Sequence, residues 1–398
     1  MKVEQISIKN YKMFKDASVK SLPPMSVFVG ANGAGKSTFF DVFGFLSDAL
    51  KENVSIAINR RGGFKEVITR GCNENDLIEI EIKFRNLQEE LESSPLITYQ
   101  LKVGQEENKI IVHTEVLKYR RGMRGKPWHF LNFHRGKGTA ITNEDQYGQQ
   151  DAEENREEQT LSSPDILAIK GLGQFERFKA ISSFRKLLEG WFVSNLQIEA
   201  ARTIGDVGFA PHLSSKGENL AQVTKYIFEN HKTIFDKICK KMSERVPGIG
   251  NVEAIQNDAG QIILKFRDGS FKDPFISRYV SDGTIKMFAY LVLLYDPNPH
   301  PLLCIEEPEN YLYPQLLTEL VDELRIYSRR GGQVFITTHS PDFLNALDIE
   351  EVFCIIKKNG ISSICRAKDI PSVVSLWEEG EKLGALWRRG YFREGGLF

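Results

Sequence analysis

The chain opens with polar and apolar positions in alternation from Val3 to Ile8, which predicts a strand with one buried face. After a turn at Leu22-Pro23-Pro24, the run Met25 to Val29 is continuously apolar and predicts a fully buried strand. Helical spacing then takes over from Ser37 to about Glu52. From Leu77 to Phe133 the period returns to two, through Ile78-Ile80-Ile82-Phe84, Tyr99-Leu101-Val103 and Ile111-His113-Glu115-Leu117. These runs predict antiparallel strands in a meander. Helical patterns are expected over Pro164 to Leu196 and Asn219 to Val246, with short strands near Val252–Ile255 and Ile262–Phe266. The last third reads as α/β. A helix at about Thr284 to Tyr295 leads to an apolar strand at Leu302–Ile305. A helix at Pro314–Ser328 and a strand at Val334–Thr337 follow, then a short helix after Pro341. A hairpin of Val352–Ile356 and Ile361–Cys365 precedes a final helix that holds Trp377, Leu383, Leu386 and Trp387.

Composition narrows the class without naming a function. The 398 residues carry a formal net charge of −1, so nucleic-acid binding would need a local basic patch. Five scattered cysteines form no C-x-x-C pair, which points to a reducing compartment and away from a zinc ribbon or a disulfide framework. The N-terminus has no secretory pattern, and no run reaches the ~20 apolar residues of a membrane span. A cytoplasmic protein without membrane contact is the expectation. One local patch does stand out. Residues 118–138 carry Lys118, Arg120, Arg121, Arg124, Lys126, Arg135 and Lys137 with Trp128, Phe130 and Phe133 between them. Arg120, Arg121, Arg124 and Lys126 are candidates for contact to DNA or to a protein partner. The acid-rich residues 144–158 that follow read as a solvated surface loop able to pair with them.

The candidate chemistry begins at Gly30-Ala31-Asn32-Gly33-Ala34-Gly35-Lys36-Ser37-Thr38, a complete G-x-x-x-x-G-K-S between a buried strand and a helix. Glycines let successive N–H groups turn toward a polyphosphate, and the helix start adds its positive dipole end. Lys36 would reach the β- and γ-phosphates of ATP, and the Ser37 hydroxyl would ligate Mg²⁺. Hydrolysis needs two further groups, a carboxylate for the metal and a base for water. The run Leu302-Leu303-Cys304-Ile305-Glu306-Glu307 places Glu306 at the tip of a buried strand for the first role and Glu307 beside it for the second. The strand Val334 to Thr338 ends similarly at His339, well placed for a γ-phosphate.

In this order the motifs resemble ABC-type ATPases of the RecF, SMC and OLD kind, grouped broadly with prokaryotic AAA-family ATPases. The phosphate loop comes first, then a long insertion, then Val280-Ser281-Asp282-Gly283-Thr284, then E-E-P-E-N, then T-T-H-S-P. The resemblance implies an α/β P-loop NTPase fold of ABC-ATPase type, with a β-rich lobe and a mixed α/β lobe carrying a helical insertion. It implies one discontinuous domain over residues 1–398: an N-terminal lobe at 1–160, a helical and linking insertion at 161–270 and a C-terminal lobe at 271–398. It also implies that Ser281, Asp282, Gly283 and Thr284 form a signature segment that meets the γ-phosphate of a second copy in a head-to-tail homodimer. Gln174 is the candidate Q-loop glutamine near the metal, and Asn310 to Tyr313 the D-loop region. Arg60 and Arg61 are further candidates for the dimer face or DNA. Glu306 stands where most relatives carry Asp, and Tyr313 replaces a common His.

Only about 106 residues separate Gln174 from Ser281, and they show no heptads, so coiled-coil arms are not expected. About 59 residues follow His339, too few for a TOPRIM nuclease. The compact subgroup it resembles is often found in phage-defence loci. The leading expectation is therefore an ATP-hydrolysing dimeric switch controlling an effector protein. A RecF-like repair factor on duplex DNA and an ATP-gated scaffold with little turnover are the rival readings.

Overall fold

The computed structural model describes residues 2–73, 75–85, 96–120, 127–146, 155–206 and 208–392. It divides into two compact units, residues 1–191 with 352–369, and residues 192–351 with 370–398. The division falls after Trp191, inside the segment grouped above as a 161–270 insertion.

The first unit is built on an eight-stranded antiparallel sheet in the order Phe14–Lys20, Lys2–Tyr11, Ile78–Arg85, Leu96–Glu106, Lys109–Arg120, Trp128–His134, Lys137–Ile141, Arg156–Thr160. The strict alternation of Ile78, Ile80, Ile82 and Phe84 puts one face of the third strand inside and Glu79, Glu81 and Lys83 outside. Two strands differ from expectation. Phe14–Lys20 forms the return arm of a hairpin, with Ile6 opposite Val19 and Ile8 opposite Ala17. Arg156–Thr160 is an edge strand although its sequence is REEQT, because the ladder to 137–141 satisfies its backbone while the side chains stay solvated. Residues 121–126 and 147–154, with Arg121, Arg124 and Lys126, lie outside the described residues, as does the side chain of Arg120.

The phosphate-loop strand Met25–Val29 is buried at every position and pairs in parallel with Val352–Lys358, which turns back through Ile361–Arg366. The phosphate-loop helix Lys36–Lys51 packs a face of Phe39, Phe40, Phe43, Phe45 and Leu46 inward. Phe28 meets Phe39 at 4.4 Å and Phe353 at 5.2 Å, and Phe43 meets Trp191 edge-on at 5.4 Å. Burying each such ring contributes about 1.5–3 kcal/mol, so the aromatic layer fixes strand and helix relative to each other.

The second unit centres on the strands Leu302–Glu306 and Gln333–Thr338, with residues 192–194 of strand Trp191–Ser194 beside Leu302–Glu306. The two central strands run parallel, with Leu302 opposite Gln333 and Glu306 opposite Thr337. The signature helix Asp282–Leu294 is buried continuously from Thr284 onward, which explains its weak amphipathic pattern. The expected 219–246 helix is two helices, Leu220–Asn230 and Lys232–Arg245, separated at His231. His231 leaves helical geometry at φ −138°, so the periodicity continued across a joint it could not reveal. Likewise Trp377 and Leu383 belong to separate helices, Pro371–Glu378 and Leu383–Arg388, parted at Gly380 with φ 96°.

Glu115 is a fully buried carboxylate of the first unit. It accepts the Ile169 N–H at 3.2 Å and the Tyr99 hydroxyl at 3.1 Å, and also the Ala168 N–H, so it ties the sheet to the start of helix Ala168–Leu172. Burial pushes its pKa from 4.5 to about 7, against those hydrogen bonds. Glu144, which accepts the Ala180 N–H, is raised by burial to the same value. A folded-state pKa above the unfolded one means that the unfolded chain releases the proton first as pH rises. Stability is therefore greatest below about 4.5 for these groups and falls as pH climbs through about 7. Urea unfolding across that window should show a falling limb in the wild type that Glu115→Gln flattens in part and the Glu115→Gln/Glu144→Gln pair flattens further. Parallel pH profiles would refute the assignment.

Candidate functional site

The first unit contributes the phosphate loop. Gly35 sits at φ 108°, a left-handed angle that side chains rarely adopt, and serves as the cap of the phosphate-loop helix. A Cβ on Gly30 would stand 2.8 Å from the Ile355 carbonyl oxygen, so only glycine lets the loop pass this strand. Lys36 is buried, and its ammonium donates to the Gly30 carbonyl at 3.0 Å. Ser37 is exposed at the mouth of the loop. A residue that sequence reasoning missed steadies it from behind. Ser362, on the return strand of the 352–366 hairpin, donates its hydroxyl to the Ala34 carbonyl at 2.6 Å and touches the Gly35 position. Its signal was invisible because 328 residues separate the two partners.

Arg61, considered for a dimer face or DNA, is turned inward and only 10 % exposed. Its guanidinium binds Asp41 and Asp48, each at 2.8 Å, while Tyr11 donates to Asp41 at 2.8 Å. It is a brace on the phosphate-loop helix. Arg60 is half-exposed and pairs with Glu52. Gln174 lies exposed just past helix Ala168–Leu172 and donates to the Lys170 carbonyl at 3.3 Å.

The second unit contributes a carboxylate–histidine cluster at the carboxyl ends of its two parallel strands. Glu306 ends the acidic strand opposite Thr337. Glu307 follows with φ 42° and is tied by its N–H to the Thr337 carbonyl at 2.9 Å. A left-handed glutamate costs on the order of 1–3 kcal/mol, a strain of the kind that marks functional turns. His339 Nδ1 lies 3.3 Å from Glu307 Oε1 and 3.5 Å from Glu309 Oε1. Glu309 was not singled out from the sequence, yet it organises the cluster. It is buried and accepts the Thr338 hydroxyl at 2.7 Å and the His339 N–H at 3.0 Å. Lys286, one turn into the signature helix, is buried and donates to the Asn310 carbonyl at 2.7 Å. Burial lowers its pKa to about 8, with Glu309 and Glu307 pulling the other way.

The signature segment is equally constrained. Ser281 caps its helix, accepting the Thr284 N–H at 3.3 Å and sharing a hydrogen bond with the Thr284 hydroxyl at 2.7 Å. Gly283 lies under the chain at Tyr311, whose carbonyl a Cβ would meet at 3.1 Å. Arg202 straps the approach, donating to the Arg278 and Val280 carbonyls and pairing with Asp282 at 2.5 Å.

A family model described as "AAA domain, putative AbiEii toxin, Type IV TA system" matches residues 25–345, from the phosphate-loop strand past the histidine. The chain belongs to this family. It is an AAA-family ATPase with the ABC-type P-loop fold. An "ATP/GTP phosphatase" of Helicobacter pylori (strain ATCC 700392 / 26695) is 22% identical over 358 residues, covering 87% of each chain. Among solved structures, the ATPase is similar to an SMC head bound to the C-terminal winged-helix domain of ScpA, with TM-score 0.57 and 13% identity. That match covers 92% of this chain and 98% of the other. It is also similar to an SMC head with an extended coiled coil bound to the C-terminal domain of ScpA from Pyrococcus furiosus, with TM-score 0.51 and 13% identity over 95% and 99% of the two chains. Among the described residues of the ATPase, no helix is long and apolar enough to cross a membrane.

The Ser362 hydroxyl gives a direct test of the loop geometry. Ser362→Ala removes one hydrogen bond, worth about 1 kcal/mol, from the carbonyl that shapes the cradle. ATP binding by isothermal titration should weaken about 3–10-fold with the fold intact. Unchanged affinity would mean that the loop holds its shape without this contact.

Proposed function

We propose that this ATPase is a nucleotide-driven switch in which two copies pair head to tail across ATP and govern an effector protein, in a defence setting against phage. The observation that carries the hydrolytic part is the cluster of Glu307, Glu309 and His339, with Glu307 held in a left-handed turn at the end of a buried strand. Such a turn holds a carboxylate still, as a group positioning an attacking water requires. The pairing of copies is supported by exposed Tyr279, Tyr311 and Tyr313, at 74%, 61% and 70%, the first just before the signature and the other two within the D-loop segment. Large exposed aromatics of this density favour a covering partner. An effector is supported by the SMC heads, solved with ScpA bound. The family description, with its toxin and type IV system, supports the defence setting.

In this reading the loop Gly30 to Thr38 wraps the phosphates with its backbone N–H groups. Lys36 exchanges the Gly30 carbonyl for the β- and γ-phosphates. Ser37, Glu306 and Gln174 offer hard oxygen donors that fit Mg²⁺, which would neutralise charge between those phosphates when bound. Glu307 draws the proton from the attacking water. His339, oriented through its own N–H by Glu309, donates to the γ-phosphate. Glu309 keeps Lys286 close to its charged form near neutral pH, and that cation offsets the paired carboxylates. Ser281 and Gly283 of the second copy close the site from the other side.

Glu307→Gln keeps shape and removes the base, so kcat should fall by about 10²–10⁴ while ATP binding persists. A turnover equal to the wild type would eliminate the assigned base. In the same slow background, light scattering should detect a dimer that depends on ATP. Adding Ser281→Arg should return it to monomer, and a persisting dimer would rule out the sandwich.

A further inference from the structure

A second cluster of chemistry-bearing side chains lies within the second unit, at the opposite end of the acidic strand. His212, Asp296 and His300 bring their ligand atoms within 4.8 Å of one another. His212 comes from the segment before helix Leu220–Asn230. Asp296 follows the signature helix, and His300 stands just ahead of strand Leu302–Glu306. At ~3.3 Å of rise per residue, that strand separates His300 from Glu306 by at least about 13 Å, so the cluster is not part of the carboxylate site.

We propose that His212, Asp296 and His300 form a binding site for a transition-metal dication of the zinc class, with water completing a four-coordinate shell. Two imidazole nitrogens and one carboxylate oxygen are the donors such an ion prefers, and an alkaline-earth ion would want more oxygen. The His212 Nδ1 to Asp296 Oδ2 distance is 2.8 Å, and the His212 and His300 rings stand 5.5 Å apart at 50°. Bonds of about 2.0–2.1 Å give a tetrahedral edge near 3.3 Å, so the pair opens by roughly half an ångström as an ion replaces the shared proton.

The surroundings hold the donors in place. Asp296 Oδ1 accepts the Asn298 N–H at 2.8 Å, which directs Oδ2 toward the histidines. Pro297 and Pro299 fix φ between the two ligands of the Asp296-x-x-x-His300 run. Phe192 stacks on the His300 ring at 4.6 Å and 19°, and Tyr327 donates to the His300 carbonyl. Asn219 donates to the His212 carbonyl at 2.9 Å and accepts the Ser214 N–H at 2.8 Å, bracing the His212 loop. Supporting contacts of this kind raise metal affinity because less order must be created on binding. The Asp296 side chain is 2% exposed and that of His212 41%, so the carboxylate is shielded while one side stays open for entry and for water.

An ion here would clamp three segments, among them the end of the signature helix and the approach to the acidic strand. Arg330 is engaged elsewhere, donating to the Leu294 carbonyl at 2.7 Å and lying over the Tyr295 and Tyr327 rings.

Cobalt(II) serves as the probe, added without nucleotide to the full chain freed of metal. One equivalent should give the intense visible absorption of a tetrahedral centre, and Zn²⁺ should abolish it. Zn²⁺ should also raise the melting temperature by several degrees. His212→Gln, on an exposed side chain that leaves the core untouched, should lose both effects, and so should His300→Gln. Absence of the absorption in the wild type, or its survival in both variants, would overturn the proposal. ATP turnover plays no part in these measurements, so their failure leaves the hydrolytic reading where it stands.

Discussion

Glu309 accepts two hydrogen bonds from the far end of a neighbouring strand, and the second unit's chemistry depends on that contact. Its carboxylate takes the Thr338 hydroxyl and the His339 N–H together, which fixes where the histidine leaves the sheet. A buried carboxylate that lost these donors would bear the desolvation cost alone, on the order of several kcal/mol. The chain meets that cost with local hydrogen bonds and with the Lys286 ammonium, whose pKa burial lowers to about 8 while Glu309 and Glu307 pull it back up. Glu307 can then occupy a strained turn, because the residues on either side are held.

The same logic recurs in the first unit, where backbone carbonyls near the phosphate loop are steadied by distant side chains. Ser362 holds Ala34, and Arg61 braces Asp41 and Asp48 along the following helix. In both units the exposed reactive group is backed by a buried polar partner, the condition for a site that keeps its geometry while its ligand comes and goes. The metal cluster proposed at the start of the acidic strand extends this pattern to the other end, with His212, Asp296 and His300 each held by a neighbouring hydrogen bond or ring.

Local patterns carried much of this into the sequence. The apolar runs Met25–Val29, Leu302–Ile305 and Val334–Thr337 announced buried strands, and strands buried on both faces can offer chemistry only at their ends. That placed Lys36, Glu306, Glu307 and His339 by simple adjacency to the motifs. The spacing marked the loop as a candidate phosphate cradle, and Gly35 takes the left-handed angle that such a loop asks of a glycine. Periodicity was a weaker guide where the pattern ran through a joint, as at His231, or where a strand was polar on both faces, as at 156–160.

What the sequence determined by itself was the set of local conformations and reactive groups, because turns, caps and buried runs depend on residues within a few positions of each other. Tertiary structure decided which side chains support them. Ser362 lies 328 residues from Ala34, Arg202 lies 80 from Asp282, and His212 lies 84 from Asp296. No periodicity connects such pairs, since the packing of intervening elements brings them together. The same packing turned Arg61 inward, where the Asp41 and Asp48 carboxylates pair with the guanidinium and offset the cost of taking it out of water.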